Sequence, residues 1–226
     1  FTYYNSIMSR GVKCDRRVQI MLGKASKPKG SFEHIAYMQR VNWNVFDDRE
    51  LKKLADNKGA VFSEKSKMKG LVASFSFDGG KVYLLMPLTF MNNSGISVRL
   101  MVEFHNIPLE NVLITVDDIA VDFGSTRMRL EGGSGGHNGL KSVEEHLHTQ
   151  NYARLRIGIG DRENGDLSSF VLGKFTEEER KELPQIVDKS AKCAEFFYSK
   201  DVTEAMSMAN INERKSKNKE IKNDNG

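Results

Sequence analysis

Short apolar runs alternate along this chain with longer stretches of helical spacing. The runs are four to eight residues long and end at glycine, proline or acidic residues, as strands do. The predicted strands are 17–23, 71–77, 81–87, 111–118, a segment at the start of RMRLEGGSGGHNGL (127–140), and 153–160. The turn sequence Asp78-Gly79-Gly80 joins the second run to the third and predicts a β-hairpin there.

Helical spacing of apolar residues predicts the elements between these strands. The predicted helices are 37–54, a segment from Ser94 to just before Pro108, a segment that begins after residue 139, and 176–209. Strands that alternate with helices indicate one α/β domain, with a mixed, mostly parallel sheet flanked by helices. We assign that domain to residues 17–210.

Composition excludes several classes of protein. The chain has 226 residues, of which 39% are hydrophobic and 28% charged, enough for one core. No apolar run reaches the roughly 18–20 residues of a membrane span. The two cysteines, Cys14 and Cys193, lie far apart without CxxC spacing, so neither a zinc site nor a disulfide framework is expected.

Charge is distributed unevenly. Residues 1–30 hold seven basic residues and one acid, while the whole chain carries a net charge of +4. We predict a basic arm at 1–16 that binds a polyanion such as RNA, the alternative being a solvated leader. Residues 211–226 are polar and aperiodic, and we predict a tail there.

The first residue is Phe1, and the residues after it contain arginine and few acids. This pattern favours the remnant of an organellar transit signal, which predicts a mitochondrial location, the alternative being the cytoplasm.

Two loops carry polar groups suited to ligand binding. LTFMNNSG (88–95) presents Asn92, whose amide can cap the next helix or hold a peptide or nucleotide. EGGSGGHNG (131–139) has four glycines flanking Ser134, followed by His137 and Asn138 just before a helix, so its backbone can approach a ligand closely. The second loop is not the GxxxxGK[ST] loop of nucleotide-binding proteins.

Four motifs in order resemble those of the bacterial-type peptidyl-tRNA hydrolase family. They are LTFMNNSG, the strand ending in Asp117, GGSGGHNG, and RLRIGIG followed by FVLGK. The resemblance extends over about residues 17–210. It implies a compact α/β domain that cleaves the ester between a peptide and its tRNA, without a cofactor or a metal.

The resemblance also implies roles for individual residues. Asn92 matches the family's substrate-gripping asparagine, and Asp117 matches the aspartate that orients the catalytic histidine. Asn138 matches the asparagine that helps to place substrate and water, with His137 as its neighbour. Arg129 and Arg156 resemble the family's pair of basic residues that clamp tRNA phosphate.

The amino-terminal segment departs from the family. Counting back from Val45-Phe46-Asp47, the family's histidine position falls at Gln39, and glutamine cannot act as a general base. His34 lies five residues earlier, and His137 is the other candidate base.

We therefore hypothesise a catalytically degenerate family member that binds tRNA or ribosomal RNA as part of a ribosome, among ribosomal proteins. The alternatives are an active peptidyl-tRNA hydrolase with His34 or His137 as the base, and an RNA splicing or chaperone factor on the same fold.

Overall fold

A computed structural model describes the protein at residues 18–22, 33–39, 54–160, 175–199 and 202–211, the first two ranges as backbone strands. The described strands form one mixed sheet of eight. They are β1 Val18–Leu22, β2 Glu33–Gln39, β3 Ser63–Lys65, β4 Gly70–Phe77, β5 Gly80–Pro87, β6 Val112–Asp118, β7 Thr126–Arg129 and β8 Ala153–Gly158.

The strands lie in the order β3-β4-β5-β2-β1-β6-β8-β7, and β2 also pairs with β6. Among the described strands, the parallel pairs are β2–β5, β2–β6 and β6–β8, and the other pairs are antiparallel. The prediction of a mixed sheet in an α/β domain is confirmed. Parallel pairing is confined to the middle of the sheet and so extends over less of it than predicted.

The β4–β5 hairpin forms at the predicted turn. Asp78 and Gly79 have φ values of +46° and +71°. Two successive positive φ values are typical of the tight turns that suit the right-handed twist of a hairpin, and Asp-Gly is a favoured pair for such turns.

Besides a short helical segment at 54–57, the described part of the chain has four longer helices that flank the sheet: α1 Ser94–His105, α2 Asn138–Leu147, α3 Glu177–Ser199 and α4 Val202–Asn210. Helix α3 begins with reciprocal hydrogen bonds that satisfy two free backbone donors. The Glu179 N–H donates to Thr176 Oγ1 at 3.2 Å, and the Thr176 N–H donates to Glu179 Oε2 at 2.6 Å.

Two helix predictions need correction. The predicted helix 176–209 is two helices, α3 and α4. The predicted helix 37–54 is wrong at its start, because residues 37–39 belong to β2. Residues 54–57 are helical, and 40–53 lie outside the described residues. In a short segment, the spacing of apolar residues does not by itself distinguish a strand from a helix. Pairing with other strands of the sheet then decides the conformation.

The alternation of side chains along β6 divides the core into two layers. Leu113 packs in the cluster that includes residues of α3 and α4. Val112, Ile114 and Val116 pack in the cluster that includes residues of α1 and α2. Since all seven residues of β6 are buried, this strand is covered on both faces, as expected for the centre of an α/β sheet.

Helix α4 covers the edge strand β7. The Met128 N–H donates to Asn210 Oδ1 at 2.9 Å, and Asn210 Nδ2 donates to the Met128 carbonyl at 3.3 Å. Thr126 Oγ1 donates to the Ala209 carbonyl at 2.6 Å. These contacts satisfy backbone groups that an edge strand otherwise leaves open. None of the described helices is both long and apolar enough to cross a membrane.

Candidate active site

Two buried carboxylates mark the end of β6. Asp118 accepts a hydrogen bond from the Ala120 N–H at 2.8 Å and from Arg156 Nη1 at 2.5 Å. Asp117 is 6% exposed, and its Oδ1 has no hydrogen-bond partner among the described residues. A buried carboxylate oxygen without a donor is costly, so Asp117 is ready to accept a hydrogen bond from a further group.

His137 is the described side chain that the structure brings next to Asp117. Its Nε2 lies 3.9 Å from Asp117 Oδ1, which is longer than a hydrogen bond but within ion-pair range. Its Nδ1 accepts the Leu140 N–H at 3.1 Å, so His137 caps helix α2. In the neutral ring this assigns the proton to Nε2, on the side of Asp117.

The glycine-rich loop that precedes His137 depends on its glycines. Gly132, Gly135 and Gly136 have φ values of +134°, +60° and +84°, where side chains are strained. A Cβ on Gly135 would also lie 3.2 Å from Arg156 Nη1. The His137 N–H donates to the Ser134 carbonyl at 3.2 Å, which closes the turn before α2.

Arg156 forms hydrogen bonds with this loop and with the end of β6. Besides its bond to Asp118, its Nη2 donates to the carbonyls of Gly133 at 3.0 Å and Ser134 at 3.1 Å. The predicted phosphate-binding role of Arg156 stays a prediction. The geometry shows a guanidinium that joins the loop to the end of β6 and has its charge paired with a carboxylate.

Arg129 is exposed at the end of the edge strand β7, where it pairs in register with Arg154. Its predicted role as a phosphate ligand also stays a prediction. Unlike Arg156, it is open to a polyanion approaching the edge of the sheet.

The two predicted asparagines are exposed and are carried by elements that pack together. Asn138 is the first residue of α2, and Asn92 lies in the 3₁₀ turn Met91–Asn93 before α1. The Gly95 N–H donates to Ser142 Oγ at 3.1 Å. A Cβ on Gly95 would overlap the Ser142 carbonyl oxygen, so α1 and α2 touch at this point.

The capping interpretation of the LTFMNNSG motif is not supported. Asn93 occupies the N-cap position of α1 and makes no side-chain capping bond. The exposed Asn92 amide is not used to cap α1 either, which leaves it available for the substrate-binding role that the family resemblance implies.

Arg154 is a site residue that sequence reasoning missed. Its side chain is 1% exposed, and it donates to the carbonyls of Gly132 and Gly133 in the loop. Burial lowers the pKa of this guanidinium, which Tyr152 and the carboxylate of Glu144 oppose. The alternation of RLR was the available signal, because it places Arg154 and Arg156 on one face of β8.

The amino-terminal candidates are placed through the backbone of β2. Ile35 pairs with Val112 at the start of β6, and Met38 pairs with Thr115. His34 is therefore at the opposite end of β6 from Asp117, roughly 16 Å or more along the strand. Gln39 follows Met38 and is closer in register to Asp117.

The remaining histidines have local roles or none in the site. His146 Nδ1 lies 2.8 Å from the Ser142 carbonyl within α2, and His148 is the left-handed residue that ends α2. His105 stacks on Tyr83, with ring centroids 4.0 Å apart. In the described part of the chain, no group of three or more histidine, cysteine or acidic residues is arranged to hold a metal ion.

Comparison with known proteins identifies the family. Residues 49–220 match the family model of peptidyl-tRNA hydrolase. The chain belongs to the peptidyl-tRNA hydrolase family. This match does not include His34 or Gln39, and the predicted domain bounds of 17–210 stay a prediction.

Individual peptidyl-tRNA hydrolases are similar over most of their length. The protein of Gloeobacter violaceus is 43% identical over 148 residues, which cover 65% of this chain and 75% of that protein. The protein of Clostridium novyi is 34% identical over 183 residues, covering 81% of this chain and 93% of that protein. The crystal structure of the Acinetobacter baumannii enzyme superposes with a TM-score of 0.66 at 34% identity, covering 71% and 82% of the two chains. These similarities confirm the predicted fold of this family member.

Proposed function

We propose that this protein binds peptidyl-tRNA and hydrolyses the ester that joins the peptide to the tRNA. The observation that carries the proposal is that His137 Nε2 lies 3.9 Å from Asp117 Oδ1, an oxygen that has no hydrogen-bond partner among the described residues. Family membership supports the substrate class. An active hydrolase thus takes the place of the degenerate RNA-binding protein expected from the missing amino-terminal histidine.

The proposed reaction uses His137 as the proton acceptor. A water oxygen attacks the ester carbonyl carbon while its proton passes to Nδ1 of His137, and the Asp117 carboxylate stabilises the imidazolium through Nε2–H. The carbon–oxygen bond to the ribose then breaks, and the ribose oxygen takes the proton. The products are a tRNA with a free hydroxyl and a peptide with a free carboxyl group, which releases the second proton of the water to solvent and becomes a carboxylate.

This role requires His137 to release its helix cap. Nδ1 is the only ring nitrogen without a proton in the neutral tautomer, and it accepts the Leu140 N–H. Losing such a capping bond costs about 1 kcal/mol, which substrate binding can offset. The exposed amides of Asn92 and Asn138 are proposed to hold the peptide end of the substrate.

A second candidate function is binding of peptidyl-tRNA without hydrolysis. The same hydrogen bond from the Leu140 N–H favours it, because an occupied Nδ1 cannot accept a proton from water. Placement of such a binding protein within a ribosome, or in mitochondria, stays a prediction. The basic arm on which it rests lies outside the described residues.

The test is hydrolysis of N-acetyl-aminoacyl-tRNA by the purified protein and by three variants. We expect Asp117→Asn and His137→Asn each to lower the rate by about 100-fold or more, while His34→Ala leaves it unchanged. Binding of the intact substrate without hydrolysis would establish the second function. Loss of turnover in His34→Ala, with turnover retained in His137→Asn, would assign the base to His34.

A further inference from the structure

The Arg154 guanidinium donates hydrogen bonds to four backbone carbonyls, two in the glycine-rich loop and two just before β8. Its Nη1 donates to the carbonyls of Gly132 and Gly133, the latter at 3.3 Å. Its Nη2 donates to the carbonyls of Gln150 at 2.7 Å and Tyr152 at 3.4 Å. The guanidinium carbon lies 4.3 Å from the centroid of the Tyr152 ring, in cation–π range.

The same guanidinium also reaches helix α2. Arg154 Nη1 lies 3.6 Å from Glu144 Oε1, and the carboxylate of Glu144 is 15% exposed. Glu144 Oε2 in turn accepts Gln150 Nε2 at 3.3 Å. One buried cation therefore hydrogen-bonds the start of the glycine-rich loop and forms an ion pair with Glu144 in the middle of α2.

The segment between these two attachment points carries the candidate site. His137 and Asn138 lie between Gly133 and Glu144, and the loop before them contains two glycines with positive φ. Such glycines allow the backbone many conformations. Because Arg154 contacts both ends of this segment, it restricts the positions that the His137 ring and the Asn138 amide can take relative to Asp117.

Stability alone does not account for this arrangement. A buried ion pair is often no better for stability than apolar side chains of similar volume, because desolvation offsets the attraction. What a guanidinium supplies is a planar set of donors with fixed directions. A lysine ammonium presents its three donors from a single nitrogen, so it cannot reach the two loop carbonyls and the carbonyls of Gln150 and Tyr152 from two separate nitrogens as the guanidinium does.

We propose that Arg154 is a positioning residue for the reaction, holding the glycine-rich loop and α2 so that His137 and Asn138 stand at Asp117. The proposal rests on the hydrolase function for its effect on turnover. Its effect on the loop is independent of that function. Arg154 itself is buried and is not a ligand for tRNA in this arrangement.

The test combines kinetics with amide hydrogen exchange on Arg154→Lys. We expect kcat on N-acetyl-aminoacyl-tRNA to fall by about 10- to 100-fold, with KM changed by less than about threefold, because the chemistry is misplaced while exposed phosphate contacts remain. Exchange of the amides at 132–140 should become faster, and exchange in α3 should not change. Arg99→Lys is the matched control, since Arg99 is partly exposed on α1 and pairs with Glu103.

If Arg154→Lys does not fold, Glu144→Gln replaces it. This variant keeps an oxygen that can accept a hydrogen bond from Arg154 but removes the negative charge. We expect a smaller fall in kcat and a smaller rise in amide exchange at 132–140 than for Arg154→Lys. Unchanged exchange at 132–140, a rise in exchange throughout the protein, or a higher KM with unchanged kcat would overturn the proposal. If the wild-type protein shows no turnover, the hydrolase function fails, and faster exchange confined to 132–140 still supports the positioning role.

Discussion

The Nδ1 atom of His137 accepts the backbone N–H of Leu140 at 3.1 Å, three residues further along the chain. This bond starts helix α2, and it directs the other ring nitrogen towards Asp117. The residue that we propose as the base is therefore also a structural residue, and the two roles need separate tests.

Replacing His137 by alanine should lower the free energy of unfolding by about 1 kcal/mol, because the first turn of α2 loses its cap. His137→Asn should be close to wild type in stability, since asparagine is a preferred N-cap residue. Urea denaturation followed by circular dichroism measures both. Equal destabilisation by the two substitutions would show that stability depends on the packing of the imidazole ring and not on the capping hydrogen bond.

Arg129→Gln should weaken tRNA binding and reduce its salt dependence. Arg129 is exposed at the sheet edge, so neutralising it removes about one phosphate contact and lowers the slope of log K against log salt by about one. Binding titrations between low and physiological salt measure the slope. Arg156→Gln should change the slope less, because Asp118 already pairs that charge, and Arg99→Gln should not change it. An unaltered slope in Arg129→Gln would exclude it as a phosphate ligand.

Acid should destabilise the fold partly through His105. Burial, with Lys81 nearby, lowers the pKa of His105 below its ordinary value of 6.5. The unfolded chain then takes up a proton as the pH falls through that value while the folded protein does not, so the free energy of unfolding decreases towards lower pH. At pH values above 6.5 the His105 ring is neutral in the folded and the unfolded protein, so it does not contribute to the pH dependence of stability.

His105→Phe tests this contribution while keeping a ring against Tyr83 and Phe104. Between about pH 7.5 and pH 5.5 the variant should lose less stability than the wild type. For each protein the change in the free energy of unfolding between the two pH values is measured. Comparing these two changes cancels the contribution of the carboxylates that both proteins share. A variant that loses as much stability as the wild type would show that His105 does not titrate differently on folding.

Asn210→Ala should destabilise the edge of the sheet by about 1 kcal/mol, because the N–H and carbonyl of Met128 both lose their partner. Asn210→Asp separates the two bonds. A carboxylate still accepts from the N–H of Met128 but cannot donate to its carbonyl, so we expect an intermediate loss in chemical denaturation. Wild-type stability in Asn210→Ala would show that water replaces both bonds at this edge.

Much of the fold could be predicted from local pattern. The 71–77 and 81–87 strands, their Asp-Gly turn, the apolar strand ending in Asp117 and the acidic start of α3 follow from turn preferences, alternation and helix-end chemistry. These signals depend on residues close together in the chain. The 37–54 segment was mispredicted at its start because pairing with distant strands decides its conformation.

The sequence by itself determined the family, through four motifs, and the residue types of the site, Asp117, His137, Asn138 and Asn92. Tertiary structure alone decided how they are arranged. It placed His137 rather than His34 beside Asp117, engaged Arg156 with Asp118 and left Arg129 open. It also buried Arg154 beneath the glycine-rich loop. The physical reason is that hydrogen bonds and ion pairs act over a few ångströms, and only the packing of β6, β8 and α2 brings residues separated by 20 or more positions within that distance.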